Sequence, residues 1–144
     1  ANIQYTGKLI TLKALAVFVA IPDAEKINRA YANNTPEQMF GTYLEAGYNF
    51  YTTDTKIARV FTRYEYLNLN MKLPNNGILN ETINQQYMIA GFSFLPIQGV
   101  IVKFDYTYRL TGDVNPALII NPYPQNVPFF KQQHLFNLGI GYSF

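Results

Sequence analysis

Residues 134–144, HLFNLGIGYSF, constrain this chain more than any other stretch, because large apolar and small or polar side chains alternate without a break. A strand turns successive side chains to opposite faces. Phe136, Leu138, Ile140, Tyr142 and Phe144 therefore share one face, and Asn137, Gly139, Gly141 and Ser143 share the other. A water-soluble sheet seldom keeps one strand face wholly apolar up to a terminal aromatic, whereas a strand whose outer face meets hydrocarbon needs such a face.

The composition agrees with that environment. Hydrophobic residues make up 49% and charged residues 14%, with 12 Tyr, 11 Phe and no Trp. Phenol and phenyl rings suit belts at two membrane interfaces, where the ring is buried and the hydroxyl stays wet. The alternative is an aromatic-rich soluble sandwich or barrel. A membrane-crossing helix needs about 20 consecutive apolar residues. The longest apolar run, residues 14–22 (ALAVFVAIP), is half that, so a helical membrane protein is excluded. No basic segment followed by an apolar one opens the chain, so Ala1 is either a mature terminus or the edge of a fragment. With no cysteine, disulfides, thiolate metal sites and cysteine nucleophiles are excluded. A formal charge of +2 without a basic stripe gives no reason to expect nucleic acid as a partner.

Six segments carry strand periodicity, at 3–20, 39–52, 56–69, 83–95, 98–111 and 132–144. All exceed the usual soluble strand of about five or six residues and suffice to cross a bilayer at a tilt. Their connections alternate in length. Tight turns are expected at 52–55 (TTDT) and at 95–99 (LPIQG), where Pro96 and Gly99 stop the ladder. The segments at 21–38, 70–82 and 112–131 are long and rich in Asn, Pro and Gly. Short turns on one side and long loops on the other are a habit of outer-membrane barrels and would put the C-terminus on the periplasmic side. Residues 23–31 (DAEKINRAY) predict a short helix capped by Asp23. The triplets at 33–35 and 80–82 match an N-glycosylation pattern but read better as turn residues.

Strand faces follow from the charges. In 98–111, Val100, Val102, Phe104, Tyr106, Tyr108 and Leu110 share a face opposite Lys103, Asp105 and Arg109. Arg or Lys at mid-bilayer costs about 2–4 kcal/mol on the lipid side, so in a membrane barrel these charges point into the lumen. The same rule turns Arg59, Arg63 and Glu65 inward, along with Glu45. Lys13 sets the phase that sends Leu12, Ala14, Ala16 and Phe18 outward. In 83–95 the preferred outward set is Met88, Ala90, Phe92 and Phe94. The candidate pore-lining residues are thus Lys13, Glu45, Arg59, Arg63, Glu65, Lys103, Asp105 and Arg109, five basic and three acidic. The candidate membrane-facing residues are Phe104, Tyr106, Phe136, Leu138, Ile140, Tyr142 and Phe144. A basic excess in a wet lumen biases passage toward anions. The plainer alternative is that the charges pair across strands and stiffen the wall.

In the order and spacing of 23–31 (DAEKINRAY), 37–48 (EQMFGTYLEAGY), 58–66 (ARVFTRYEY), 90–108 (AGFSFLPIQGVIVKFDYTY) and 136–144 (FNLGIGYSF), the chain resembles Gram-negative outer-membrane porins. It is most similar to the C-terminal part of the long porins that include the phosphate-selective group. That resemblance implies an antiparallel transmembrane β-barrel of about 16 strands in the bacterial outer membrane, often a homotrimer, passing small hydrophilic solutes. Lipid and lipopolysaccharide would be its surroundings. Six strands are too few to close a barrel. The expectation is therefore that N-terminal strands are missing, with closure by several copies of the chain, or a miscount within residues 1–38, as alternatives. A non-conducting barrel that anchors or assembles partner proteins would share every outward feature.

Enzymatic chemistry has little support. The one histidine, His134, and Ser143 lie at an odd spacing on one strand and so on opposite faces. Asp113 and Asn115 could supply calcium ligands but suit an ordinary turn. Neither a metal nor a cofactor is expected.

Overall fold

The computed structural model describes residues 1–115 and 129–143. They form one antiparallel sheet of seven strands in strict sequence order: β1 (Asn2–Thr6), β2 (Ile10–Ala20), β3 (Gln38–Thr52), β4 (Ile57–Lys72), β5 (Asn84–Ile97), β6 (Val100–Thr111) and β7 (Gln132–Tyr142). Each strand pairs only with its chain neighbours, so β1 and β7 are the two edges among the described residues. Helix α1 (Ala24–Tyr31) and a 3-10 turn at Glu81–Ile83 sit in the connections.

The expected first strand is two strands. Gly7 donates its N–H to the Ile10 carbonyl at 2.8 Å, closing a tight turn over Lys8 and Leu9, and Thr6 pairs with Thr11. The sheet therefore has seven strands, not six. A parity switch marks the break: Ile3 and Tyr5 are odd-numbered, whereas Leu12, Ala14 and Ala16 on the same face are even-numbered. A continuous strand cannot change parity without a bulge.

The added turn extends the alternation of connections. Short turns lie at 7–9, 53–56 and 98–99, and long connections at 21–37, 73–83 and 112–131. In the second short turn the Thr53 N–H donates to the Lys56 carbonyl at 2.8 Å, and the Lys56 N–H donates to Thr53 Oγ1. In the third, Gly99 adopts φ +84, which a residue without a Cβ reaches at little cost. Pro96 does not stop the ladder as expected. Strand β5 runs on to Ile97, with the register slipping between Phe94 and Ile97, so the proline sits where no ladder N–H is needed.

Helix α1 occupies the expected segment. Asp23 stands at its N-cap but caps nothing with its side chain, because the carboxylate pairs with Lys26 at 2.7 Å instead. The long loops are stitched together by asparagines. Buried Asn28 accepts from the Thr35 N–H at 2.6 Å and donates to the Thr35 carbonyl at 3.0 Å. Asn34, not Asn33, is the residue that acts, exchanging two hydrogen bonds with the Ile78 backbone. Asn76 donates to the Glu25 carbonyl and Asn115 to that of Leu79. Asn80 accepts from the Thr82 N–H and hydroxyl, the turn role expected of its triplet. Amides recur here because one side chain can donate to and accept from an exposed backbone at once.

Asn28→Ala would leave a part-buried N–H and carbonyl at Thr35 without their side-chain partner, a cost of about 1 kcal/mol. The expected outcome is faster amide exchange at Thr35, read by hydrogen–deuterium exchange, with the β3 and β4 amides unchanged.

Candidate functional site

The sheet has two chemically opposite faces, and cross-strand register extends each over all seven strands. One row runs Gln4, Lys13, Glu45, Arg63, Ile89, Thr107 and Leu135, and the next Tyr43, Glu65, Tyr87, Arg109 and Gln133. Toward the short turns follow Thr11, Gly47, Phe61, Gly91, Asp105 and Asn137, then Asn49, Arg59, Ser93, Lys103 and Gly139. All eight charged residues singled out from the sequence occupy this face. The register also places Met88, Ala90, Phe92 and Phe94 on the opposite face with Phe104, Tyr106, Phe136, Leu138, Ile140 and Tyr142. Phe144 lies outside the described residues.

Exposure runs against the pattern of a water-soluble protein. Large apolar side chains are the exposed ones, with Phe136, Leu138, Ile140 and Tyr142 at 71%, 75%, 77% and 70%. On the charged face Ser93, Asp105 and Thr107 are buried at 5%, 8% and 7%. Among the described residues no large side chain is fully enclosed, and the only buried apolar residues are Ala24 and Ala58. A single layer that encloses its polar face must curl toward it. Lys13 on β2 and Lys103 on β6 indeed line one cavity, although four strand spacings on a flat sheet would span roughly 19 Å. Curling is eased where small residues lie beside large ones. A Cβ at Gly47 would meet Arg59 Cδ at 3.1 Å, and one at Gly91 would meet the Phe61 ring at 2.5 Å.

The charges divide into paired and unpaired. Glu45 receives Lys13 at 3.0 Å and Arg63 at 3.7 Å, and Arg63 also reaches Glu65 at 2.7 Å. The Arg63 guanidinium lies 4.1 Å above the Tyr43 ring, which adds a cation–π contact. Lys103 meets Asp105 at 3.3 Å, and Asp105 also accepts from Asn137 at 2.8 Å and from the Thr107 hydroxyl at 3.3 Å. Arg59 donates from Nε to Asn49 Oδ1 at 2.6 Å and has no carboxylate within 4 Å among the described residues. Arg109 likewise lacks one, and its buried Nε has no acceptor. Ion pairing therefore accounts for six of the eight charges, across strands for Lys13, Glu45 and Arg63 and along one strand for Arg63–Glu65 and Lys103–Asp105, and the two arginines carry the basic excess. The i,i+2 pairs could be read from spacing, whereas the Glu45 bridge to Lys13 and Arg63 depends on which strand lies beside which.

The opposite face carries rings along its whole height: Tyr48, Phe92 and Phe94 toward the short turns, Phe18, Phe40 and Tyr66 toward the long loops, and between them Tyr64 and Tyr108 in the row of Ala14 and Leu44, with Tyr106 and Phe136 in that of Ala46, Thr62 and Ala90. The Tyr106 hydroxyl and His134 Nδ1 lie 2.6 Å apart, and the His134 ring is tilted against Tyr108 with centroids 5.2 Å apart, so this histidine belongs to the aromatic face. Ser143 lies beyond β7, with its N–H donated to the Gly99 carbonyl. The Asp113 carboxylate is taken by Lys131 at 2.9 Å, and no cluster of metal-ligating side chains occurs among the described residues.

No helix of the described residues is long and apolar enough to cross a membrane, which says nothing of strands. Comparison with protein-family models, characterised proteins and solved structures finds no match to this chain.

The pairing pattern predicts opposite outcomes for two arginines. Arg109→Met removes a charge with no carboxylate partner and is expected to change unfolding stability by no more than about 0.5 kcal/mol. Arg63→Met strands Glu65 and weakens Glu45, at a cost of about 1–3 kcal/mol. Denaturant titrations followed by circular dichroism would compare them.

Proposed function

We propose that this sheet is part of the wall of a bacterial outer-membrane β-barrel, a porin-type pore for passive diffusion of small hydrophilic solutes with a weak preference for anions. The observation that carries the reading is the inversion of faces, with charges on the enclosed side and large apolar groups on the open side. Water as the outer solvent would leave those apolar groups without burial. Hydrocarbon reverses the sign, since each outward Phe, Leu and Ile then lies in the medium it prefers and each charge avoids it.

Further features support the same reading. Strands β2 to β7 run 11 to 16 residues, long enough to cross the hydrocarbon layer with overhang. Short turns gather at one end and long loops at the other. The two edges then require further strands, because an unpaired ladder in lipid is costly. Those strands come from more of the same polypeptide or from other copies of the chain, and a homotrimer set in lipid and lipopolysaccharide is the assembly this reading favours.

Arg59 and Arg109 supply the anion bias, because carboxylates already neutralise the other three cations. Conductance of the intact protein in planar bilayers should show discrete steps. Replacing both arginines by glutamate should move the reversal potential in a salt gradient toward cations. Absence of steps would reject the pore in favour of a non-conducting anchor barrel, and an unmoved potential would remove these two residues from the lumen.

The outer medium has its own test. Leu138→Arg at a 75% exposed position should change stability by less than about 0.5 kcal/mol if that face meets water. In lipid vesicles the expected loss is about 2–4 kcal/mol. A near-zero change there would overturn the membrane reading.

A further inference from the structure

We infer that the enclosed face holds a subsite for a small planar organic carboxylate of benzoate size, in a cavity of about 180 Å³ bounded by Arg59, Lys103, Lys13, Glu45, Ser93, Phe61 and Ile101. The subsite rests on the reading of this face as the wet side of a pore wall and adds to it the chemical class of one ligand.

Register brings the charged groups together. Arg59, Ser93 and Lys103 are successive partners across β4, β5 and β6, so the two cations flank a small buried residue. Their Cα atoms are roughly 10 Å apart, and side chains of that length can converge over Ser93 on one carboxylate. Arg59 spends its Nε on Asn49, and its two terminal nitrogens have no acceptor among the described residues. The cavity walls carry Lys13, Arg59 and Lys103 against Glu45, with Asp105 adjoining Lys103, and Glu45 is also drawn on by Arg63. Three cations against two carboxylates leave one positive charge, which matches a monoanion.

The other half of the cavity is apolar, and this selects an organic ligand over an inorganic one. The Phe61 ring lies across Gly91, where any Cβ would meet it at 2.5 Å, so the ring lies along the sheet instead of standing up from it. Lys103 Nζ stands over the ring, 4.7 Å from its centroid, so on turning toward a carboxylate beside Arg59 it swings off the ring and leaves that face to the ligand. Ile101 extends the apolar surface. A cavity of roughly 150 Å³ is enough to take up benzene. A flat ring stacked on Phe61 with its carboxylate between Arg59 and Lys103 satisfies both halves. Inorganic phosphate would use only the charged half.

Equilibrium dialysis of radiolabelled benzoate against the intact protein in detergent micelles tests this, with empty micelles as the partition control. Expected are saturable binding, little competition from benzyl alcohol, and at least about fivefold weaker competition from inorganic phosphate than from unlabelled benzoate. Phe61→Ala should weaken binding about fivefold and Arg59→Gln about tenfold or more. Should Phe61→Ala lose its β-sheet dichroism, Phe61→Leu, which keeps bulk but lacks an aromatic face, is read in its place. Non-saturable uptake, equal displacement by phosphate, or unchanged affinity in the Phe61 variant would overturn the proposal. Binding needs no conduction, so saturable benzoate binding without single-channel steps would keep the subsite and reject the pore. Steps without benzoate binding would do the reverse.

Discussion

A strand presents alternate side chains to opposite sides, so a single paired layer has two faces and no interior of its own. Everything else in this molecule depends on how those two faces are covered. A soluble protein would lay a second sheet or helices over the apolar side. Here α1 packs among the loops, and no second layer lies over the sheet among the described residues. The side that curls inward is the polar one, and Gly91 in the middle of β5, where Phe61 lies across the backbone, shows how small residues make room for that curl.

The charged face combines two kinds of order. Glu45, bridging Lys13 and Arg63, and Asp105, held by Lys103, Asn137 and Thr107, tie neighbouring strands into a rigid wall. Arg59 and Arg109 stand outside those pairs. Of the rival sequence-based readings, that of charges as clamps describes the paired groups, and the proposal of a field within a lumen rests on Arg59 and Arg109. Paired groups stiffen the wall at little cost in field, and the unpaired ones leave a net charge exposed to whatever fills the concavity.

The periodicity of 98–111 was legible because charges in one frame and rings in the other leave a single phase, and that of 132–144 because small or polar residues fill the frame opposite the apolar ones. The three long connections and the helix at 24–31 were legible from Asn, Pro and helix-forming residues. The β1–β2 turn was missed because Gly7 alone is weak punctuation, and the informative signal was the parity switch between Tyr5 and Leu12. Pro96 misled in the opposite direction, since a bulge can hold a proline inside a strand. Asp23 had the right residue type for a cap, but the nearby ammonium of Lys26 offered its carboxylate a competing partner.

Alternation along one strand is a local property, and the sequence by itself determined it: the strands, their faces, and the separation of charges from rings and aliphatic groups. Partnership between strands is not local. Whether Arg63 meets Glu45 while Arg59 meets only Asn49, or whether Phe61 lies across Gly91 beneath Lys103, depends on register and on the direction of curl. Those are set by the hydrogen-bonded ladder and by side-chain volumes on neighbouring strands, so only the tertiary structure decided which charges cancel and which remain.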